Sequence, residues 1–245
     1  VAFDKIPLGA EVTIHIEGTI LHDANIFFPI TASKITLVGE GEDAKLIINS
    51  NHLHIKGDML FDNLTLTSSE NETVIIACGY NNVAFTETFK TNKGRLLAGV
   101  VALDENKASS WYNSRESISS DKDCTITVNG GTYEYFLCGN CLFTGYKPAI
   151  YGTYSGDMVV NIGPNVVLNG MGIKGASGQN YLTGTVTLNA ASWASGLVIR
   201  PFPDTGNVNE KYVAAKNTGK VTVNVLEPCT AKTYAVGDLN TDGSV

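Results

Sequence analysis

The chain has 245 residues, 17 Lys and Arg against 24 Asp and Glu, and a formal net charge of −7. That balance excludes a nucleic-acid binder, which needs clustered basic residues to neutralise phosphates. Charged residues make up 17% and hydrophobic ones 43%, which excludes wholesale disorder. The longest apolar run, Leu96–Leu103, is strand-sized and far short of a membrane span, so no membrane partner is expected either. The chain opens on Val1, not Met, and carries no signal-peptide pattern, which points to a processed or excised piece.

Along the chain, β-branched runs with period 2 recur between Gly, Asn and Asp clusters. They begin with Val12-Thr-Ile-His-Ile16, Lys34-Ile-Thr-Leu-Val38, Lys45-Leu-Ile-Ile48 and His52-Leu-His-Ile55, and continue with Asn63-Leu-Thr-Leu66 and Thr73-Val-Ile-Ile76. In the second half come Thr125-Ile-Thr-Val128, Thr185-Val-Thr-Leu188 and Lys220-Val-Thr-Val223. No helical apolar period is sustained, so the chain is all-β. A sandwich and a solenoid both fit that pattern. The solenoid is favoured because Thr125-Ile-Thr-Val-Asn-Gly-Gly131 is echoed by Val159-Val-Asn-Ile-Gly-Pro-Asn165, Thr185-Val-Thr-Leu-Asn-Ala190 and Val221-Thr-Val-Asn224. Repetition at roughly 20–35 residues means stacked coils. Asn and Gly at the strand ends are read as residues that tolerate left-handed backbone where a coil turns a corner.

Two stretches carry a resemblance. Ile126-Thr-Val-Asn-Gly-Gly-Thr-Tyr133 resembles a rung of the right-handed parallel β-helices of secreted bacterial surface proteins, and Ile6–Gly18 followed by Ile35–Gly41 resembles the first rungs of pectate-lyase-like helices. The resemblance implies a single-stranded right-handed parallel β-helix over residues 1–233. The last residues, Gly237-Asp238-Leu-Asn240-Thr-Asp242-Gly243-Ser-Val245, match the opening of an EF-hand-type loop, with oxygen ligands Asp238, Asn240 and Asp242 at positions 1, 3 and 5 and Gly243 at position 6. The phrase is similar to the start of a type I dockerin, the Ca²⁺-dependent module that plugs cellulosomal proteins into cohesins. Residues 234–245 are therefore expected to be a linker and a truncated dockerin start, with the later loop ligands missing. The dockerin resemblance implies a secreted, extracellular, cellulosome-associated bacterial protein.

Pectin-active β-helices need acidic Ca²⁺ ligands with a Lys or Arg base, or paired carboxylates over one groove. The catalytic strings of polygalacturonases and of the commonest pectate lyases are absent. The acidic pairs Asp58 with Asp62, Glu70 with Glu72 and Asp121 with Asp123 each fall on one face of an extended strand; solvated turn carboxylates are the plainer reading, as surface lysines are for Lys90, Lys122 and Lys174. His52 and His54, like His15, read as outward-facing or stacking side chains, there being no third ligand nearby for a metal. The five cysteines include Cys138-Gly-Asn-Cys141, whose spacing fits a dithiol or a staple; free thiols inside the coils fit as well.

Sugar rings stack on aromatic side chains. Residues 133–154 hold Tyr133, Tyr135, Tyr146, Tyr151 and Tyr154 beside two Phe, and Trp111-Tyr112 sits in the polar excursion Asp104–Asp123. That excursion is long for a structureless loop, which makes it functional or unstructured. These seven Trp and Tyr residues are the expected ligand contacts, with Trp193 as a further exposed aromatic; packing against the coil wall competes for the loop aromatics. The sequence thus points to a monomeric, non-catalytic carbohydrate-binding or surface-presenting module that contacts plant cell-wall polysaccharide, with a pectin-type lyase or glycoside hydrolase of diverged site as the alternative.

Overall fold

The computed structural model describes residues 6–23, 26–28, 32–49, 52–69, 72–98, 120–138, 152–169, 171–174, 180–192, 197–200, 219–229 and 234–236. Among them there is no helix. The strands are β1 (Glu11–His22), β2 (Ile26–Phe27), β3 (Lys34–Ile48), β4 (His52–His54), β5 (Asp58–Asp62), β6 (Thr65–Ser68) and β7 (Thr73–Gly79). Next come β8 (Val83–Phe85), β9 (Lys93–Ala98), β10 (Cys124–Val128), β11 (Thr132–Cys138), β12 (Gly152–Tyr154) and β13 (Asp157–Ile162). The remainder are β14 (Val167–Leu168), β15 (Met171–Lys174), β16 (Asn180–Leu182), β17 (Thr185–Ala190), β18 (Leu197–Arg200), β19 (Lys220–Val225) and β20 (Tyr234–Val236).

The strands sort into two large sheets. One runs β1-β3-β5-β8-β10-β13-β17-β19, the other β2-β4-β7-β9-β11-β15-β18-β20; β6 also lies on β3, β14 on β11, and β12 pairs with β16. Every pairing between them is parallel. The chain alternates between the two sheets, adding one rung to each in turn. Two antiparallel layers packed face to face are thereby excluded. Residues stacked in neighbouring rungs are 24 apart at Asp58 and Asn82 and 28 apart at Asn161 and Asn189. The spacing widens to 34 at Asp123 and Asp157, 35 at Asn189 and Asn224, and 43 at Asn82 and Thr125.

Alternation decides which side chains face inward. In β10, β13 and β17 the buried positions are Cys124, Ile126 and Val128, then Met158, Val160 and Ile162, then Val186, Leu188 and Ala190. Registry places these over one another, so each rung buries its apolar face on the next. In the first half aromatic rings do the same: Phe61 stacks on Phe85 at 4.9 Å, and Phe28 and Phe89 meet Phe61 edge-on. Such pairs add about 0.5–1.5 kcal/mol each beyond the area they bury.

Two runs that read as separate strands, Lys34–Val38 and Lys45–Ile48, belong to one strand, β3. Its ladder to β1 shifts register between Glu17 and Thr19, with Gly18 and Gly41 in the left-handed region. β3 turns a corner there without leaving the ladder. The next corner is closed by Asn63, at φ 45°, whose amide Nδ2 donates to the Gly39 carbonyl at 2.8 Å. A side chain at Gly39 would collide with the Asn63 carbonyl, so only glycine fits. Asn189 and Asn224, expected at left-handed corners, instead lie inside strands, as Asn161 does; among the described residues Asn63 and Glu72 are the non-glycine residues at positive φ.

Candidate functional site

Among the described residues the outward face of the first sheet is a polar surface built rung by rung. Its middle column runs Thr127, Asn161, Asn189 and Asn224, aligned by the ladders β10–β13, β13–β17 and β17–β19. The amides are chained: Asn224 Nδ2 donates to Asn189 Oδ1 and Asn189 Nδ2 to Asn161 Oδ1, both at 2.8 Å. Each bond is short because parallel strands bring equivalent side chains to about 4.8 Å from one another. The Asn recurring in Val-Asn-Ile, Leu-Asn-Ala and Val-Asn-Val was the available signal for this ladder, and reading those residues as turn formers concealed it.

A second polar row borders the strand starts. Asp58 accepts from the Asn82 backbone N–H at 2.9 Å and from Asn82 Nδ2 at 2.8 Å, while Asn82 Oδ1 accepts the Thr125 N–H at 2.9 Å. Lys122 Nζ reaches Asp58 at 3.1 Å. Farther along, Asp123 accepts the Asp157 N–H at 2.8 Å and Asp157 accepts the Thr185 hydroxyl at 2.6 Å. At the strand ends Asp62 accepts the hydroxyls of Thr86 and Thr88, at 2.8 and 3.1 Å. Burial pushes the Asp58 carboxyl up, but the two Asn82 bonds and the Lys122 ammonium outweigh it and hold the group below its ordinary value.

This chemistry is structural. Asp58 and Asp62 stand at opposite ends of β5, bonding to residues before and after β8, and Lys122 pairs with Asp58. Lys122 and Asp123 are exposed, as expected of a surface lysine and a turn carboxylate, and with the half-buried Asp58 and Asp62 they also bond between rungs. Among the described residues no group of three His, Cys, Asp or Glu is placed to hold a metal ion. Glu70 lies outside the described residues. Lys90 sits in an isolated bridge with Thr65, and Lys174 lies opposite Arg200 across the β15–β18 ladder.

Two of the expected sugar contacts are core residues. Tyr133 and Tyr154 are both fully buried. Gly94 and Gly131 lie against the Tyr133 ring, leaving room for it inside the coil, and its hydroxyl donates to the Gly130 carbonyl at 3.1 Å. Tyr154 stacks on Tyr80 at 4.4 Å and donates to the Lys122 carbonyl at 3.1 Å, leaving its oxygen free to accept from the Cys124 thiol at 3.7 Å. Neither ring can meet a polysaccharide, because enclosing them already satisfies both the apolar ring and the hydroxyl. The β9–β11 ladder shifts register between Tyr133 and Tyr135, and Tyr135 pairs with Arg95 in it. Trp111, Tyr112, Tyr146, Tyr151, Trp193, Asp238, Asn240 and Asp242 lie outside the described residues.

The histidines divide. His15 is exposed and bonded to Glu40, as an outward side chain should be. His54 alternates with the core residues Leu53 and Ile55 and is in register with Ala77, which is buried outside the core cluster, so it lies on the outward face as read, yet is only 1% exposed. Cys78 and Cys124 are buried free thiols, and burial pushes both up, so neither offers a thiolate. Cys138 occupies the end of β11, and Cys141 lies outside the described residues. No family model, curated protein or solved structure matches the chain.

Proposed function

We propose that the chain is a right-handed parallel β-helix serving as a non-catalytic, polysaccharide-binding or surface-presenting module of a secreted cellulosomal protein. The strand-by-strand alternation between two all-parallel sheets supports the helix. The observation that supports the non-catalytic reading is that Asp58, Asp62, Asp123 and Lys122 bond between rungs and do not converge on one groove. In this reading a plant cell-wall glycan rests along the coil wall. Trp111, Tyr112, Tyr135, Tyr146 and Tyr151 supply its stacking contacts, and Tyr133 and Tyr154 hold the wall from within. Asp238, Asn240 and Asp242 open a Ca²⁺ loop that, once completed, docks a cohesin.

Affinity electrophoresis in pectin, xylan and cellulose derivatives tests the binding, beside a polygalacturonate assay with Ca²⁺ read as unsaturated-uronate absorbance. Retardation without absorbance growth is expected. Trp111→Ala should weaken retardation about five- to hundredfold, the scale of one stacked ring at about 1–3 kcal/mol. Sustained absorbance growth would establish a lyase and end the non-catalytic reading; mobility unchanged in every glycan would end the binding one.

A further inference from the structure

The outer face of the first sheet is almost uncharged where the asparagine chain runs. The four strands β10, β13, β17 and β19 carry two charged residues, Asp157 and Lys220, both at strand starts. Beyond those starts two neutral columns stand side by side. One is Thr127–Asn161–Asn189–Asn224, and the other, set by the same ladders, is Thr125–Val159–Thr187–Thr222. Every residue of both columns is exposed or half-exposed, so solvent reaches them.

Stacked rungs repeat these groups every 4.8 Å or about that, and the columns lie roughly 7 Å apart, two residues along a strand. Asn189 spends one N–H and one lone pair on the chain of amides and keeps one of each. A threonine hydroxyl likewise both donates and accepts. Such a surface can bond sugar hydroxyls in either sense, and its step is close to the length of one pyranose residue in an extended chain. Val159, between Thr125 and Thr187, offers an apolar spot to a ring's C–H face. What the columns lack is a cation. A polyuronate carries a carboxylate on every residue, and each one laid on the columns would lose water without gaining an ion partner. Lys220 stands at the margin, and Lys122, before β10, is paired with Asp58. Asp123 and Asp157 on the same border repel an anionic chain further.

We propose that the outer face of β10, β13, β17 and β19 binds an uncharged polysaccharide lying along the stack, and that the want of cations in its two columns excludes polyuronates. The inference rests on the polysaccharide-binding reading above and narrows it to one face and one substrate class.

Affinity electrophoresis at low and high salt tests it, with hydroxyethylcellulose, a neutral xylan or polygalacturonate in the gel. Both neutral polymers should retard the chain equally at the two salt concentrations, and polygalacturonate should not. Thr187→Val removes one hydroxyl from the face and keeps the β-branched shape, so it should melt like the parent. It should bind the neutral polymers about two- to tenfold more weakly, the scale of one net hydrogen bond. Thr187→Ser, which keeps the hydroxyl, should bind like the parent. Thr187→Arg should gain a retardation by polygalacturonate that high salt abolishes. Polygalacturonate retarding the parent as strongly as the neutral polymers, or neutral binding indifferent to Thr187→Val, would overturn this inference while the broader binding reading stood. Mobility unchanged in every gel would remove both.

Discussion

The two halves of the molecule use one frame differently. Through residue 98 the rungs are tight, with stacked partners 19 to 27 residues apart, and the rings of Phe28, Phe61, Phe85 and Phe89 pack together in the interior. From residue 120 onward the inward positions are mainly aliphatic, the outer face carries the Asn161–Asn189–Asn224 chain, and stacked partners are between 26 and 43 residues apart. The extra residues enter at one kind of junction. Segments 99–119, 139–151, 175–179 and 201–218 all follow a strand of the second sheet; 99–119 and 201–218 precede β10 and β19 of the first, while 139–151 and 175–179 precede β12 and β16 of the two-stranded sheet. Loop closure grows costlier only slowly with length, so a ladder fixed on either side tolerates such insertions. The first half is frame alone; the second is frame plus added sequence, and most of the aromatics proposed to meet a glycan are in that added sequence.

The contrast predicts unequal sensitivity. Phe61→Ala removes the ring at the centre of the stack and should cost about 3–5 kcal/mol, read as a large fall in Tm. A loss below about 1 kcal/mol would mean that the first half does not depend on its rings. Asp58 should matter next. Because its folded value is depressed, its contribution is complete above the ordinary aspartate value of about 3.9 and is lost as the pH falls through the lower folded value. Acid titration of stability should therefore lose a component below about pH 4 that Asp58→Asn lacks, and at neutral pH that substitution should cost about 1 kcal/mol, discounted for partial exposure. Smallest is Asn189→Ala, which breaks two amide bonds in a half-exposed ladder and should cost about 0.5–1.5 kcal/mol in urea unfolding. If that loss matched Phe61→Ala, the outer ladder and not the core would be holding the second half together.

The frame was largely legible, because alternation in runs such as Thr185-Val-Thr-Leu188 reports strands directly and their recurrence reports stacking. What alternation cannot report is which face a ring takes. Tyr133 looks like Tyr135 in sequence; its burial depends on Gly94, a rung away, and on a register shift that the residues themselves do not announce. His54 lies on the side opposite the core residues Leu53 and Ile55, as period 2 sets it; that this side is covered is what the residues do not announce. The carboxylates illustrate the converse. Asp58 was recognisable as a polar strand-start residue, but its partners Asn82 and Lys122 are 24 and 64 residues away, and only stacking brings them to it.

The Lys122–Asp58 link has one more consequence. Near-identical rungs invite mistakes in counting: a chain returning after residues 99–119 could settle one layer too early and still find Val, Thr and Ile waiting. The ammonium that reaches from the entry to β10, past Asn82, to a carboxylate on β5 favours the correct layer by up to about 1 kcal/mol, the scale of a partly exposed pair. It works as an address label, marking the layer to which β10 belongs.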